Sequence, residues 1–231
     1  MNQDIHSPHD GQLPTTETSA PRDPFPWPPG PDDSILLAFF TTLKRSALSP
    51  TAFFRAMPVR DGLGAPILFY LALGVLVAAA SLFWNSIQLL ILGPESLATW
   101  QALGLSASPA LLLLIQFLLS PLFLLIFFFV SAGVTHLVLL IVGSARSGFQ
   151  ATARTLAFAY SPTILAVVPV IGALVGTIWA TVNVIIGLRE AHRTDTWRAV
   201  VAVLGPIAVV FFFVFFVAFV ASLASLPVVT T

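Results

Sequence analysis

Four polar side chains lie within or beside long apolar stretches of the sequence, where they could form one hydrogen-bonded cluster. They are His136, Tyr160 and Asn183, with Arg154 a few residues before Tyr160. A polar side chain inside a membrane-spanning segment is costly and is therefore often functional. Such a cluster could relay protons or hold a lipid headgroup, or it could simply fix the packing of helices. The apolar stretches hold no carboxylate beside these residues, which weighs against proton-coupled transport.

No pattern in the sequence predicts an enzyme. His192 and Asp195 have metal-ligand spacing but no third ligand, so we expect His192 to lie in a solvated loop. The chain has no cysteine, which excludes disulfides, thiolate catalysis and cysteine metal sites. A glycine-rich phosphate loop, a nucleophile elbow and a pair of buried carboxylates are also missing. We therefore expect neither catalysis nor a cofactor nor a bound metal.

The composition is that of an integral membrane protein. Hydrophobic residues make up 57% of the chain, charged residues only 9%, and the mean hydropathy is +0.95. Soluble domains carry about 25% charged residues, and they could not hide so much apolar surface. The formal net charge of +0 gives no reason to expect a nucleic-acid partner.

The hydropathy pattern predicts an all-α membrane protein, a five-span helical bundle preceded by short amphipathic helices. Residues 1–33 are polar and proline-rich and should form a disordered cytoplasmic tail. Residues 34–64 should form two short helices, lying in the lipid headgroup layer or packed on the bundle. Residues 65–226 should form the membrane domain, with the third and fourth spans joined by a tight turn near Val168 and Pro169. The predicted spans are about 65–90, 109–142, 151–168, 170–188 and 199–221.

The basic residues predict the orientation. With the N-terminus inside, every lysine and arginine falls on the cytoplasmic side, and the two outer connections and the C-terminal tail hold none. We therefore expect a cytoplasmic N-terminus, a C-terminus outside, and a cytoplasmic basic surface that could bind a membrane or cytoplasmic protein. That surface comprises Lys44, Arg45, Arg55, Arg60, Arg146, Arg189, Arg193 and Arg198.

Small residues recur every four positions on the fourth predicted span, at Gly172, Gly176 and Ala180. Small residues at this spacing let a second helix backbone approach closely within the bilayer. We expect them to pack inside the bundle, with a homo-oligomer through the same residues as the alternative.

The order of these features resembles the Yip family of membrane proteins, over roughly residues 48–222. The resemblance rests on the Ala159–Pro162 step, on Val168–Gly172, and on the exit Ile185–Glu190. Its structural motif residues are Pro162, Pro169, Gly172, Gly176, Trp179 and Gly187.

The resemblance implies a five-span bundle with a cytoplasmic N-terminus. Eukaryotic members act in vesicle traffic with Rab-type GTPases, but this chain lacks the Asp-Leu-Tyr-Gly-Pro element that those members carry. This departure favours a bacterial inner-membrane member. The leading hypothesis for its function is a membrane organiser or adaptor. The alternative is a small transporter, channel or lipid-handling protein that uses the polar cluster.

Overall fold

The computed structural model describes residues 25–93 and 108–224, with side chains described as far as residue 217. These residues form helices and connections and no strand. The helices are α1 (Ile35–Leu48), α2 (Pro50–Ala56), α3 (Gly64–Leu92), α4 (Pro109–Ile141), α5 (Gly148–Ala159), α6 (Ile171–His192) and α7 (Thr196–Ala224). A 3-10 helix over Ser161–Val167 follows α5.

The described N-terminal segment packs against the bundle instead of leaving it. Trp27 is only 4% exposed, its ring meets Phe39 and Phe69 edge-on, and its indole N–H donates to the Ala65 carbonyl at 2.7 Å. Phe25 packs beside Phe53. This differs from the prediction of a disordered tail as far as residue 33. The physical reason is that two aromatic rings bury enough surface to order the proline-rich segment around them. Residues 1–24 lie outside the described part of the chain.

Helices α1 and α2 form two short arms along the bundle. Ser34 caps α1, accepting a hydrogen bond from the Leu37 amide, and Pro50 opens α2 at its first position. Each arm buries one face, and the other face of α1 leaves Ile35, Leu36 and Phe40 exposed.

In the described part of the chain, four helices are long and apolar enough to cross a membrane, and they are α3, α4, α6 and Thr196–Val217 of α7. The five-span prediction therefore holds only in its coarser form, as a membrane protein built of several apolar helices. The predicted third span, 151–168, is a 12-residue α-helix followed by a 3-10 turn. Pro162 has no amide N–H to continue the α-helical ladder, which explains the change at this point.

Helix α5 lies at the centre of the bundle. Residues 151–159 are all buried, and the helix packs against α1, α3, α4 and α6. Alanines at 151, 153, 157 and 159 let these neighbours approach closely on every side. The chain then turns at 168–170 and returns as α6, which brings the polar residues of α5 against the end of α6.

Candidate functional site

The four residues of the predicted polar cluster lie in four different settings. His136 contacts Thr152, Arg154 donates to backbone carbonyls, Tyr160 packs its ring against Tyr70, and the Asn183 amide donates to the Ser46 carbonyl. Each of the four side chains contacts a separate partner, and none of these contacts joins one of the four to another. The structure therefore replaces one cluster with several smaller networks.

One of these networks runs through two histidines. The Thr152 hydroxyl lies 2.9 Å from His136 Nδ1 and 2.9 Å from His192 Nε2. The Ser147 amide N–H lies 3.2 Å from His192 Nδ1, to which it donates. Because a backbone amide can only donate, Nδ1 of a neutral His192 carries no proton and its Nε2 must carry one. The chain of hydrogen bonds then runs from Ser147 through His192 and Thr152 to His136.

The expectation that His192 lies in a solvated loop was wrong. His192 is 0% exposed and is the last residue of α6. A signal for its burial was present in the sequence, because residues 172, 176, 180, 184, 188 and 192 form a four-residue repeat that is buried throughout. Only the first three of these positions hold small residues, Gly172, Gly176 and Ala180, so the small-residue pattern alone does not extend to His192.

Arg154 holds the connection that leads into α3. Its side chain is 1% exposed, and Nη1 donates to the carbonyls of Asp61 and Gly62 at 2.9 and 2.6 Å. A buried guanidinium needs such acceptors, since an unpaired buried charge is strongly unfavourable. Arg154 therefore fixes the entry to α3, and its role in the described contacts is structural.

Asn183 and Trp179 hold the end of α1. The Asn183 side chain donates to the Ser46 carbonyl at 3.0 Å, and the Trp179 indole donates to the Ala47 carbonyl at 3.1 Å. The Ser46 hydroxyl also pairs with the Ser161 hydroxyl at 2.5 Å. These bonds satisfy carbonyls in the last turn of α1, which have no partner within the helix.

The glycines of α6 pack against the same chain. A Cβ on Gly172 would collide with the Leu165 carbonyl oxygen, and one on Gly176 would lie 2.7 Å from the Pro162 carbonyl oxygen. A Cβ on Gly187 would crowd Thr155 and Phe54. Pro162 itself is buried, whereas Pro169 lies exposed in the turn. The glycine face is thus covered by α5 and the 3-10 helix, so a homo-oligomer would have to use other residues.

Five arginines come from neighbouring segments: α2, the α4–α5 connection, the end of α6 and the start of α7. Glu190 pairs with Arg55 at 3.2 Å and with Arg189 at 2.7 Å, and Arg146 donates to the Arg193 carbonyl at 3.2 Å. Arg198 donates to the Gly143 carbonyl at 3.4 Å. We call this group (Arg55, Arg146, Arg189, Arg193 and Arg198) the basic platform.

Hydrogen bonds join the two connections of the platform to each other. The Ser144 hydroxyl lies 2.7 Å from the Thr194 hydroxyl, and the Ser147 hydroxyl donates to the Ala191 carbonyl at 2.6 Å. The remaining predicted basic residues lie elsewhere. Lys44 and Arg45 belong to the last turns of α1, and Arg60 is exposed in the α2–α3 connection.

Two neighbouring cavities lie between the long helices, and sequence reasoning missed both. The central cavity has a volume of about 550 Å³ and is bounded by α3, α4, the 3-10 helix, α6 and α7. Its polar lining is made of hydroxyl groups, including those of Tyr70, Ser131, Tyr160, Thr163, Thr177 and Thr181. Isolated serines and threonines in apolar helices are a weak sequence signal, because most of them bond to their own helix.

The seam cavity lies between α3 and α4 and has a volume of about 470 Å³. Its polar lining includes Ser81, Asn85, Gln116 and Ser120, all of them uncharged. The two cavities share the lining residues Gly74, Val77, Leu124 and Phe127, so they meet where α3 and α4 approach most closely.

Within the described residues, no group of three or more histidine, aspartate or glutamate residues could hold a metal ion. A search of curated proteins and a search of solved structures each return no match. A family model described as the Yip1 domain matches residues 44–218, which include every helix from α2 to α6 and most of α7. As this match covers well over half of the sequence, the protein is a multi-pass membrane protein and belongs to the Yip1 domain family.

Proposed function

We propose that this protein is a non-catalytic membrane adaptor that binds a protein partner through its basic platform. The observation that carries the proposal is the arrangement of the five arginines. They come from α2, the α4–α5 connection, the end of α6 and the start of α7, and hydrogen bonds and an ion pair hold these segments together. A preformed cationic surface favours a partner segment rich in aspartate and glutamate, since it loses little side-chain entropy on binding.

We also propose that the basic platform faces the cytoplasm of a bacterial cell and that the C-terminus lies outside the inner membrane. The one-sided distribution of lysine and arginine supports this orientation. An N-terminus inside and a C-terminus outside require an odd number of membrane crossings. Five crossings meet the requirement, and so do three crossings if α5 and α6 form a hairpin that enters and leaves on the same side.

The test is co-purification of the tagged protein in native lipid patches, without detergent. We expect a stoichiometric protein partner, and we expect Arg146→Gln combined with Arg193→Gln to release it, because both side chains are exposed. Lys44→Gln combined with Arg60→Gln is the matched control, since it removes the same charge outside the platform. Retention of the partner by the platform variant, or absence of any partner, would reject the adaptor.

A second candidate is a transporter, channel or lipid-handling protein. The two neighbouring cavities favour it, because ligand sites in helical bundles are commonly cavities of about 300–1,000 Å³ lined by apolar residues and a few polar groups. Flux of a solute or lipid in proteoliposomes tests it. His136 and Asn183 are absent from the lining of both cavities. The informative variants are therefore in the cavity hydroxyl groups.

A further inference from the structure

We propose that the central cavity binds an uncharged lipid whose headgroup is a free hydroxyl group, as in a diacylglycerol. The inference deepens the second candidate function and does not depend on the adaptor proposal. Three features carry it: the direction of the hydroxyl groups' hydrogen bonds, the lack of charge in the lining, and the wall that the central cavity shares with the seam cavity.

Most of the hydroxyl groups that line the cavity already donate their one proton to a backbone carbonyl, so towards a ligand they can act only as hydrogen-bond acceptors. The Thr177 hydroxyl donates to the Ala173 carbonyl at 2.8 Å, and the Thr181 hydroxyl donates to the Thr177 backbone carbonyl at 2.9 Å. The Thr163 hydroxyl donates to the Tyr160 backbone carbonyl at 2.7 Å. A hydroxyl group has one proton and two lone pairs, so each of these oxygens still has accepting capacity. A ligand that donates hydrogen bonds fits this lining better than one that only accepts them.

The lining carries no aspartate, glutamate, lysine, arginine or histidine. An ion placed among these residues would lose its hydration without gaining a counter-charge, which is strongly unfavourable in a medium of low dielectric constant. A phosphate headgroup is therefore excluded on energetic grounds. An alcohol is uncharged and donates a hydrogen bond, so it matches both properties of the lining.

The remaining wall of the cavity is apolar and leads towards the surface. Phe127 lines both cavities and is 58% exposed, while Phe123 lines the seam cavity and is 60% exposed. Both residues lie on α4, one of the helices long enough to cross the membrane. An acyl chain could therefore lie along the α3–α4 seam while its headgroup reaches Thr177 and Thr181. This access route favours a lipid over a water-soluble alcohol.

Photolabelling in nanodiscs of phosphatidylcholine tests the proposal. The probe is a diacylglycerol that carries a photoactivatable group in one acyl chain, and the competitors are dioleoylglycerol and dioleoylphosphatidic acid. These competitors differ only in whether the third glycerol carbon bears a hydroxyl group or a phosphate. We expect saturable labelling on the parts of α3 and α4 that line the seam cavity, with dioleoylglycerol competing at least tenfold better.

Thr177→Val combined with Thr181→Val removes both hydroxyl groups at nearly constant volume. Without either threonine oxygen, the single hydroxyl proton of the ligand loses its acceptor on α6, which should weaken labelling about tenfold. Thr155→Val is the matched control, because Thr155 also donates to its own helix, is buried, and does not line the cavity. Thr181→Ser keeps the hydroxyl group and should label like the wild type, which separates loss of binding from loss of folding.

Three outcomes would overturn the proposal. They are equal competition by dioleoylphosphatidic acid, unchanged labelling of the double valine variant, and labels spread evenly over the outer faces of the helices. None of them bears on the basic platform. The cavity and the adaptor surface can therefore fail separately.

Discussion

At the scale of single residues, Thr152 links the two histidines of the network, although the sequence analysis did not select it. Its hydroxyl group lies within hydrogen-bond distance of both His136 on α4 and His192 on α6. The chain reverses direction between α4 and α5 and again between α5 and α6, and this brings the three side chains together. Sequence reasoning found His136, since a histidine is conspicuous in an apolar helix. It missed Thr152, because nothing local distinguishes this threonine from Thr155, which bonds only within its own helix.

We predict that Thr152→Val destabilises the protein far more than Thr155→Val. The first substitution removes two hydrogen bonds and leaves the ring nitrogens of two histidines without this partner, which costs about 2–4 kcal/mol. The second removes one bond within a helix and should cost roughly 1 kcal/mol or less. Thermal unfolding of the two variants in nanodiscs measures the difference. Equal melting temperatures would show that the hydrogen bonds of Thr152 contribute no net stability.

Arg154 gives a second prediction at this scale. Arg154→Met keeps most of the side-chain volume but removes both hydrogen bonds to the connection before α3. We expect trypsin to cleave after the exposed Arg60 severalfold faster in this variant than in the wild type. Arg146→Met is the control, because Arg146 bonds to Arg193 and not to this connection. Unchanged cleavage after Arg60 would mean that other contacts hold the segment.

At the scale of the helices, the turn between the 3-10 helix and α6 lies well short of the end of α3. The Trp84 indole donates to the Val167 carbonyl at 2.8 Å, yet α3 continues for eight further residues, roughly 12 Å. Those residues include the apolar side chains Leu89, Leu90 and Ile91, so α3 continues through lipid beyond the turn and reaches the outer surface only at its end, Leu92. The turn is itself apolar. Pro169 has no backbone N–H group, so the turn has one fewer donor that needs a hydrogen-bond partner within the membrane.

We therefore predict that the turn lies inside the bilayer. The chain has no cysteine, so single cysteines report their own surroundings. Leu92→Cys should react from outside with a membrane-impermeant maleimide. Val168→Cys should react only with a lipid-soluble reagent, although both side chains are exposed in the bundle, 63% and 58% respectively. Similar reactivity of the two positions would instead place the turn at the outer surface, as five full crossings require.

The helices also show what the sequence can and cannot reveal about the fold. Ser34 marks the start of α1 and Pro50 the start of α2, because capping depends on neighbouring residues alone. The change from α-helix to 3-10 helix near Pro162 was not predicted. Pro162 marks the position in the sequence, but hydropathy does not show whether a proline kinks a helix or ends it. The close packing of the 3-10 helix against Gly172 and Gly176 accompanies the break.

At the scale of the whole molecule, the N-terminal segment contributes to the core. Trp27→Ala should cost about 3–5 kcal/mol, the usual range for removing a buried large aromatic ring. Trp197→Ala is the control, since that ring is 58% exposed. Thermal unfolding compares the three proteins, and equal stability of the two alanine variants would contradict the packing of Trp27.

The burial of α5 has a consequence for how the protein is made. This helix contains Gln150, Thr152, Arg154 and Thr155, so it would partition poorly into lipid by itself when it leaves the insertion machinery. The connection before α3 supplies the acceptors for Arg154, and His136 on α4 and His192 on α6 are the partners of Thr152. Of these segments, only α6 is synthesised after α5. Helix α5 can therefore reach its final packing only after α6 has been translated. A chain stalled on the ribosome before residue 192 would lack the His192 partner of Thr152, and α5 would not be stably packed.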